Sequence, residues 1–262
     1  EMRERDQSTL TPLADRLGLE PSEADAWKQA ADSIYVPFDE ERGLYPQDDA
    51  FFDRAPWDFE RTPLEHYPLL LHYHPLTIYR HQVLKQPDLV MALFLQGNRF
   101  TIDKKRRNFS YYDPLTTGDS SLAACVQSII AAEIGETELA YRYFMKTARM
   151  DLDDVNGNVR DGIHAAAMAG TWLSMVYGFA GMRDFSGRLS FQPTLPREWE
   201  RLVFRILWHG TPLEVAVGRT STRYHLPRGG DVAFTHAGEP HRLADDGELD
   251  LRNPTDAEIR AE

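Results

Sequence analysis

The chain has 262 residues, with 41 acidic against 29 basic side chains and a formal net charge of −12. That balance argues against duplex nucleic acid or an anionic membrane as the main partner, because both repel a strongly acidic surface. A single cysteine, Cys125, excludes an intramolecular disulfide framework, and a lone thiol in an apolar run fits a reducing, cytoplasmic setting.

The length allows one substantial core with a smaller appendage. The longest apolar runs, residues 122–130 and 165–169, fall well short of the roughly 20 residues a membrane span needs, and no signal-peptide pattern opens the chain. It starts in the charged string EMRERDQ rather than at an initiator Met, which points to further sequence upstream. Residues 21–35 read as a helix, with Ser22 as N-cap and with Ala24, Trp27, Ala31 and Ile34 on one buried face. The following stretch to residue 63 is rich in Pro, Asp and aromatics, and is too long for an idle connection.

From residue 63 to 96 the chain reads as short helices broken at Pro68, Pro75 and Pro87, since each proline disfavours α conformation in the residue before it. The basic run at 104–108 reads as a solvated loop. Residues 119–134 and 136–149 form an αα-hairpin around Gly135, and residues 163–179 a further apolar helix ending at Gly178 and Gly181. Beyond Arg188 the pattern changes to short β-branched and aromatic runs bounded by Gly and Pro, which predicts a small antiparallel β-domain over about 188–237. The acidic tail is expected to fray, apart from one strand near 247–252.

Three stretches carry chemistry. HYHPLTIYRHQVLKQPD, residues 72–88, packs histidines, tyrosines and an adjacent Lys85–Gln86 pair. An ammonium beside a two-ended amide suits vicinal sugar hydroxyls, although a solvated helix end is the commoner fate of such a pair. In TTGDSSLAACVQ, residues 116–127, Gly118, Asp119, Ser120 and Ser121 open an apolar helix. Unpaired N–H groups and two hydroxyls there suit an anion, while simple helix capping is the alternative. In DGIHAAAMAGTW, residues 161–172, His164 starts a helix of small residues, where it serves either an anion or a structural hydrogen bond. The histidine spacings show no metal signature, and no nucleic-acid-binding motif accompanies the basic run.

These strings, together with KRRNFSYYDPLTTGDSSL, DLDDVNGNVRDGIHAAAMAGTW and GRLSFQPTLPREW, closely resemble glycoside hydrolase family 65, the maltose, trehalose and kojibiose phosphorylases and their hydrolase relatives. The match covers nearly everything from about residue 27 to 217. The resemblance implies a mainly α fold with a β appendage: residues 1–187 would be the second part of an (α/α)6 catalytic barrel, and residues 188–262 a small antiparallel β-sheet domain with a polar tail. It implies that Lys85 and Gln86 hold the non-reducing glucosyl unit and that Ser120, Ser121 and His164 bind phosphate. The implied reaction is single-step inverting phosphorolysis of an α-glucosyl disaccharide to β-glucose 1-phosphate and glucose. Inorganic phosphate is the co-substrate, and no organic cofactor or metal is expected.

The family's general-acid glutamate lies upstream of anything in these residues, so no catalytic acid is assigned here. The chain alone is then an inactive fragment, and association with a missing N-terminal part or as a homodimer would cover its open barrel face. Gly118 stands where many phosphorylases have histidine, which keeps a trehalase-like hydrolase as the alternative parent. A noncatalytic sugar-binding or assembly module is the second alternative. Which disaccharide is cleaved is left open between trehalose, maltose and kojibiose.

Overall fold

In a computed structural model that describes residues 7–155 and 157–261, the chain divides into two units, Glu1–Phe38 and Asp39–Glu262. The charged opening, residues 1–6, lies outside the described residues. The first unit holds α1 (Gln7–Leu17) and α2 (Pro21–Asp32). The N-cap of α2 is Glu20 rather than the expected Ser22. Glu20 and Glu23 form a reciprocal capping box, and Pro21 takes the first turn, where its missing N–H leaves no bond unmade. Trp27 and Ile34, expected on a buried face, are 57% and 69% exposed, because two short helices do not enclose a core.

In the second unit the prolines act as expected. Short 3₁₀ turns at Leu64–His66 and Leu69–Leu71 precede α3 (Pro75–Ile78) and α4 (Asp88–Leu95). Two short strands, β1 (Ala55–Pro56) and β2 (His81–Gln82), pair in parallel and tie the aromatic loop to this region.

The basic run is not a loop. It lies in α5 (Ile102–Tyr112), whose N-cap Thr101 accepts from the Lys104 N–H and whose buried face is Lys105, Asn108, Phe109 and Tyr112. Two polar residues in that stripe hide its helical period. Lys105 Nζ meets Glu133 Oε1 at 2.6 Å, and Arg183 Nη2 lies 3.1 Å from Glu133 Oε2, so both buried cations share one carboxylate as their partner.

The αα-hairpin is α6 (Ala123–Glu133) and α7 (Thr137–Ala148), turned at Gly135 in the left-handed region. The helix α8 (Ala165–Leu173) continues as a π-helical turn, Ser174–Phe179. It packs closely on α6: a Cβ on Gly170 would stand 2.8 Å from that of Cys125, and one on Gly178 would stand 3.6 Å from the Ile129 Cα. Later residues of α8 meet later residues of α6, so the two helices run parallel and their N-terminal ends lie at the same end of the layer. Phe109, Tyr112, Ile130, Phe144 and Phe179 belong to the core of this helical part.

The β part is larger than its sequence pattern indicates. A four-stranded antiparallel sheet joins β4 (Arg201–Trp208), β5 (Thr211–Gly218), β6 (Ser221–His225) and β9 (Glu248–Arg252). A second sheet has β7 (Asp231–His236) between β3 (Leu189–Phe191), which pairs in parallel, and the antiparallel β8 (Glu239–Ala244). Leu213, Val215, Val217, Tyr224 and Phe234 form the second core.

The tail does not fray. It supplies β8, β9 and α9 (Asp256–Ala261), and α9 returns to the helices. Asp256 Oδ1 accepts from Thr137 and Thr194 at 2.8 and 2.9 Å, and Arg260 Nη2 donates to the Gly135 carbonyl at 2.7 Å. Among the described residues no helix is long and apolar enough to cross a membrane.

Candidate functional site

Backbone pairing brings two of the three sequence stretches together. Leu84 N–H donates to the Leu115 carbonyl and Thr117 N–H to the Leu84 carbonyl, both at 2.8 Å. This is a parallel bridge between Leu84 and Thr116. It holds Lys85 and Gln86 beside the turn that leads into α6.

Gln86 Nε2 then donates to Ser120 Oγ at 3.1 Å, and Leu122 N–H donates to the same oxygen at 3.2 Å. With its acceptor positions engaged, the Ser120 hydroxyl can still donate its hydrogen. Asp119 does not cap the helix. Its Oδ2 accepts from the Leu69 N–H at 3.0 Å, tying the turn to the proline-broken segment. Accordingly α6 starts at Ala123, a turn later than the sequence pattern predicts, and Ser121 lies half-buried just before it. Lys85 is exposed.

His164 occupies the N-cap of α8. Its Nδ1 lies 2.6 Å from Asp151 Oδ1. Because α8 is parallel to α6, His164 stands at the end of the helical layer that carries Ser120 and Ser121. Thus Gln86 and Ser120 touch, Lys85 and Ser121 flank them, and His164 shares their end of the layer while its own bonds run to Asp151.

Two groups were not legible in the sequence. Lys146, at the C-terminal end of α7, donates to the Gly118 carbonyl at 3.3 Å. A Cβ on Gly118 would lie 2.7 Å from that ammonium, so the glycine makes room for a cation beside the serine pair. Asp151 is the other; it sits across a loop from His164 with no helical spacing to reveal the pair.

The histidines between residues 63 and 96 have structural partners. His66 stacks on His72 with ring centroids 5.1 Å apart and its Nδ1 lies 2.7 Å from the Tyr73 hydroxyl, His74 Nδ1 accepts from the Leu76 N–H, and His81 Nδ1 donates to the Thr77 carbonyl. Among the described residues no group of three or more His, Cys, Asp or Glu is placed to hold a metal ion. Cys125 is a free, buried thiol; burial pushes its pKa up and away from reactive thiolate.

The sequence profile of the glycosyl hydrolase family 65 central catalytic domain matches residues 3–173, and that of the family's C-terminal domain matches residues 182–243. The chain belongs to glycosyl hydrolase family 65. It is 45% identical over 217 residues to an α,α-trehalose phosphorylase of Thermoanaerobacter brockii, a match covering 83% of this chain and 28% of that one. It is 33% identical over 240 residues to the maltose phosphorylase of Bacillus subtilis, covering 92% and 31%.

A solved structure of a human-microbiome protein, provisionally described as a kojibiose phosphorylase, superposes with a TM-score of 0.81 at 30% identity, over 93% of this chain and 36% of that one. The chain therefore spans about a third of the length of these relatives. The mainly helical architecture with a β appendage, expected from the resemblance, agrees with this shared fold.

Proposed function

We propose that this chain supplies the glucosyl- and phosphate-binding part of an inverting phosphorylase that acts on an α-glucosyl disaccharide of the trehalose, maltose or kojibiose type. In this reading residues 1–187 are the second part of the catalytic barrel and residues 188–262 the C-terminal domain. Lys85 and Gln86 hold the non-reducing glucosyl unit. Ser120, Ser121 and His164 bind phosphate, and Lys146 adds positive potential.

The observation that supports the reading best is the 3.1 Å bond from Gln86 Nε2 to Ser120 Oγ, which makes the sugar-side and anion-side stretches one continuous surface. A phosphate oxygen attacking the anomeric carbon forms the new C–O bond as the glycosidic C–O bond breaks on the opposite face. The leaving oxygen takes its proton from a carboxylic acid that this reading places in a part of the parent protein outside these 262 residues. Holding phosphate and sugar on one rigid surface lowers the barrier by fixing the line of attack.

The exposed face of α8, with Met168 58% and Trp172 43% exposed, supports association with that remaining part, since apolar side chains gathered on one helix face are covered in working assemblies.

The test is incubation with trehalose, maltose and kojibiose, with and without phosphate, for this chain alone and for the chain joined to the rest of the catalytic domain. The joined protein is expected to give phosphate-dependent β-glucose 1-phosphate, and this chain alone neither product. Free glucose released without phosphate would instead mark the parent as a hydrolase. Sugar binding with no turnover by the joined protein would mark a noncatalytic module.

A further inference from the structure

Asp151 lies in the loop after α7, 13 residues before His164. One carboxylate oxygen approaches His164 Nδ1 at 2.6 Å, and the two oxygens accept the His164 main-chain N–H at 3.3 and 3.0 Å. The two side chains are 20% and 18% exposed, so the contact is largely shielded from competing water. The hydrogen bond from His164 holds the Asp151 carboxyl below the usual carboxylate range. Asp151 is therefore ionised near neutral pH and can only accept. The contact at Nδ1 then requires a hydrogen on that nitrogen, which leaves Nε2 as the atom available to a ligand. The main-chain bond fixes the direction of approach as well, because backbone and ring of one residue are clamped by one carboxylate.

We propose that Asp151 is a positioning residue that fixes His164 as the Nδ1–H tautomer, so that Nε2 accepts the O–H of hydrogen phosphate. The inference rests, in its second half, on the phosphate reading given above. With its single O–H engaged by Nε2, hydrogen phosphate turns its charged oxygens toward the Ser120 and Ser121 hydroxyls and toward the sugar. No bond to phosphorus changes in this step. The residue sets which proton faces which oxygen.

Nuclear magnetic resonance of the 262-residue chain with ¹⁵N-labelled histidine rings reads the tautomer directly, with His164→Gln to identify the signals and inorganic phosphate as the titrant. The wild type is expected to show a protonated Nδ1 and an unprotonated Nε2 that shifts as phosphate is added. In Asp151→Asn the amide can donate to Nδ1. The ring proton should then move to Nε2, and phosphate affinity should fall about tenfold or more, in line with the loss of a bond to a charged group.

A wild-type ring protonated at Nε2, whether or not Nδ1 is protonated as well, overturns the proposal without need of any variant. So does a folded Asp151→Asn chain that keeps both the wild-type tautomer and the wild-type phosphate affinity. A wild-type chain with the Nδ1–H tautomer whose ring ignores phosphate overturns the phosphate reading instead, so the two failures are distinguishable.

Discussion

Replacing Lys105 with Met keeps the length of the side chain and removes its charge. The side chains of Lys105, Glu133 and Arg183 are 5%, 17% and 9% exposed, and the ammonium is tucked beneath Gly97, where an added Cβ would stand 2.9 Å from it. Glu133 Oε1 would lose its 2.6 Å partner. Oε2, which lies near Arg183 without a well-aligned hydrogen bond, would not make up the loss.

Burial opposes the charge on Glu133, but Arg183 and Lys105 outweigh it and hold the carboxyl below its usual range. Burial lowers the Lys105 pKa. Removing one partner of a buried ion pair costs about 3–5 kcal/mol, and the lower end, ~3 kcal/mol, applies because Arg183 remains. For a protein of this size that corresponds to a Tm lower by about 6–12 °C, at roughly 2–4 °C per kcal/mol.

Urea and thermal unfolding of the wild type, Lys105→Met, Glu133→Gln and the double variant measure the effect. The double variant should lose less than the sum of the single losses, by about 1–3 kcal/mol, as expected for groups in direct contact. A Lys105→Met loss below about 1 kcal/mol, the range of an exposed pair, would refute the reasoning that these charges depend on each other.

Gly181→Ala should prevent native folding or reduce stability severely, because the new Cβ would lie 2.1 Å from the Gln192 main-chain oxygen at a φ of +59°. Yield of folded protein and its thermal midpoint check this, and a near-wild-type midpoint would contradict it. Glu258 accepts from the Arg252 guanidinium and from the Thr255 N–H and hydroxyl, contacts that bring its pKa down to about 2. Its contribution is present above the unfolded carboxyl's pKa of about 4.3 and is lost as pH falls from there through about 2. Acid unfolding of Glu258→Gln should therefore be shallower in that window than that of the wild type.

Much of the helical layer was readable from the sequence because its signals are local. The prolines break the segment from 63 to 96 where they stand, and Gly135 turns the hairpin. What was not readable depends on distant partners. The helix at 102–112 reads as a charged loop because Lys105 and Asn108 occupy its buried stripe, satisfied by Glu133 and by the Tyr45 N–H and Lys104 carbonyl. The tail from 239 to 252 reads as polar because its strands expose most of their side chains. Its turns place Ala237 and the Asp245–Asp246 pair at positive φ, and alanine at such a position gives no turn signal. Of the candidate site, Lys85, Gln86, Ser120, Ser121 and His164 stood out by residue type and resemblance, whereas Lys146 and Asp151 are ordinary surface residues until the fold brings them to Gly118 and His164.

The bridge between Leu84 and Thr116 has a consequence for how such a surface can diversify. Main-chain hydrogen bonds set the spacing between the segment that ends in Lys85–Gln86 and the segment that leads to Ser120–Ser121, and main-chain bonds do not depend on the side chains projecting from them. Exchanges at the projecting positions can therefore alter the chemistry of this surface while the distance between the two segments stays fixed. The Gln86–Ser120 bond is the exception, a side-chain contact across the two segments, so exchanges at those two positions are coupled while exchanges at other projecting positions need not be.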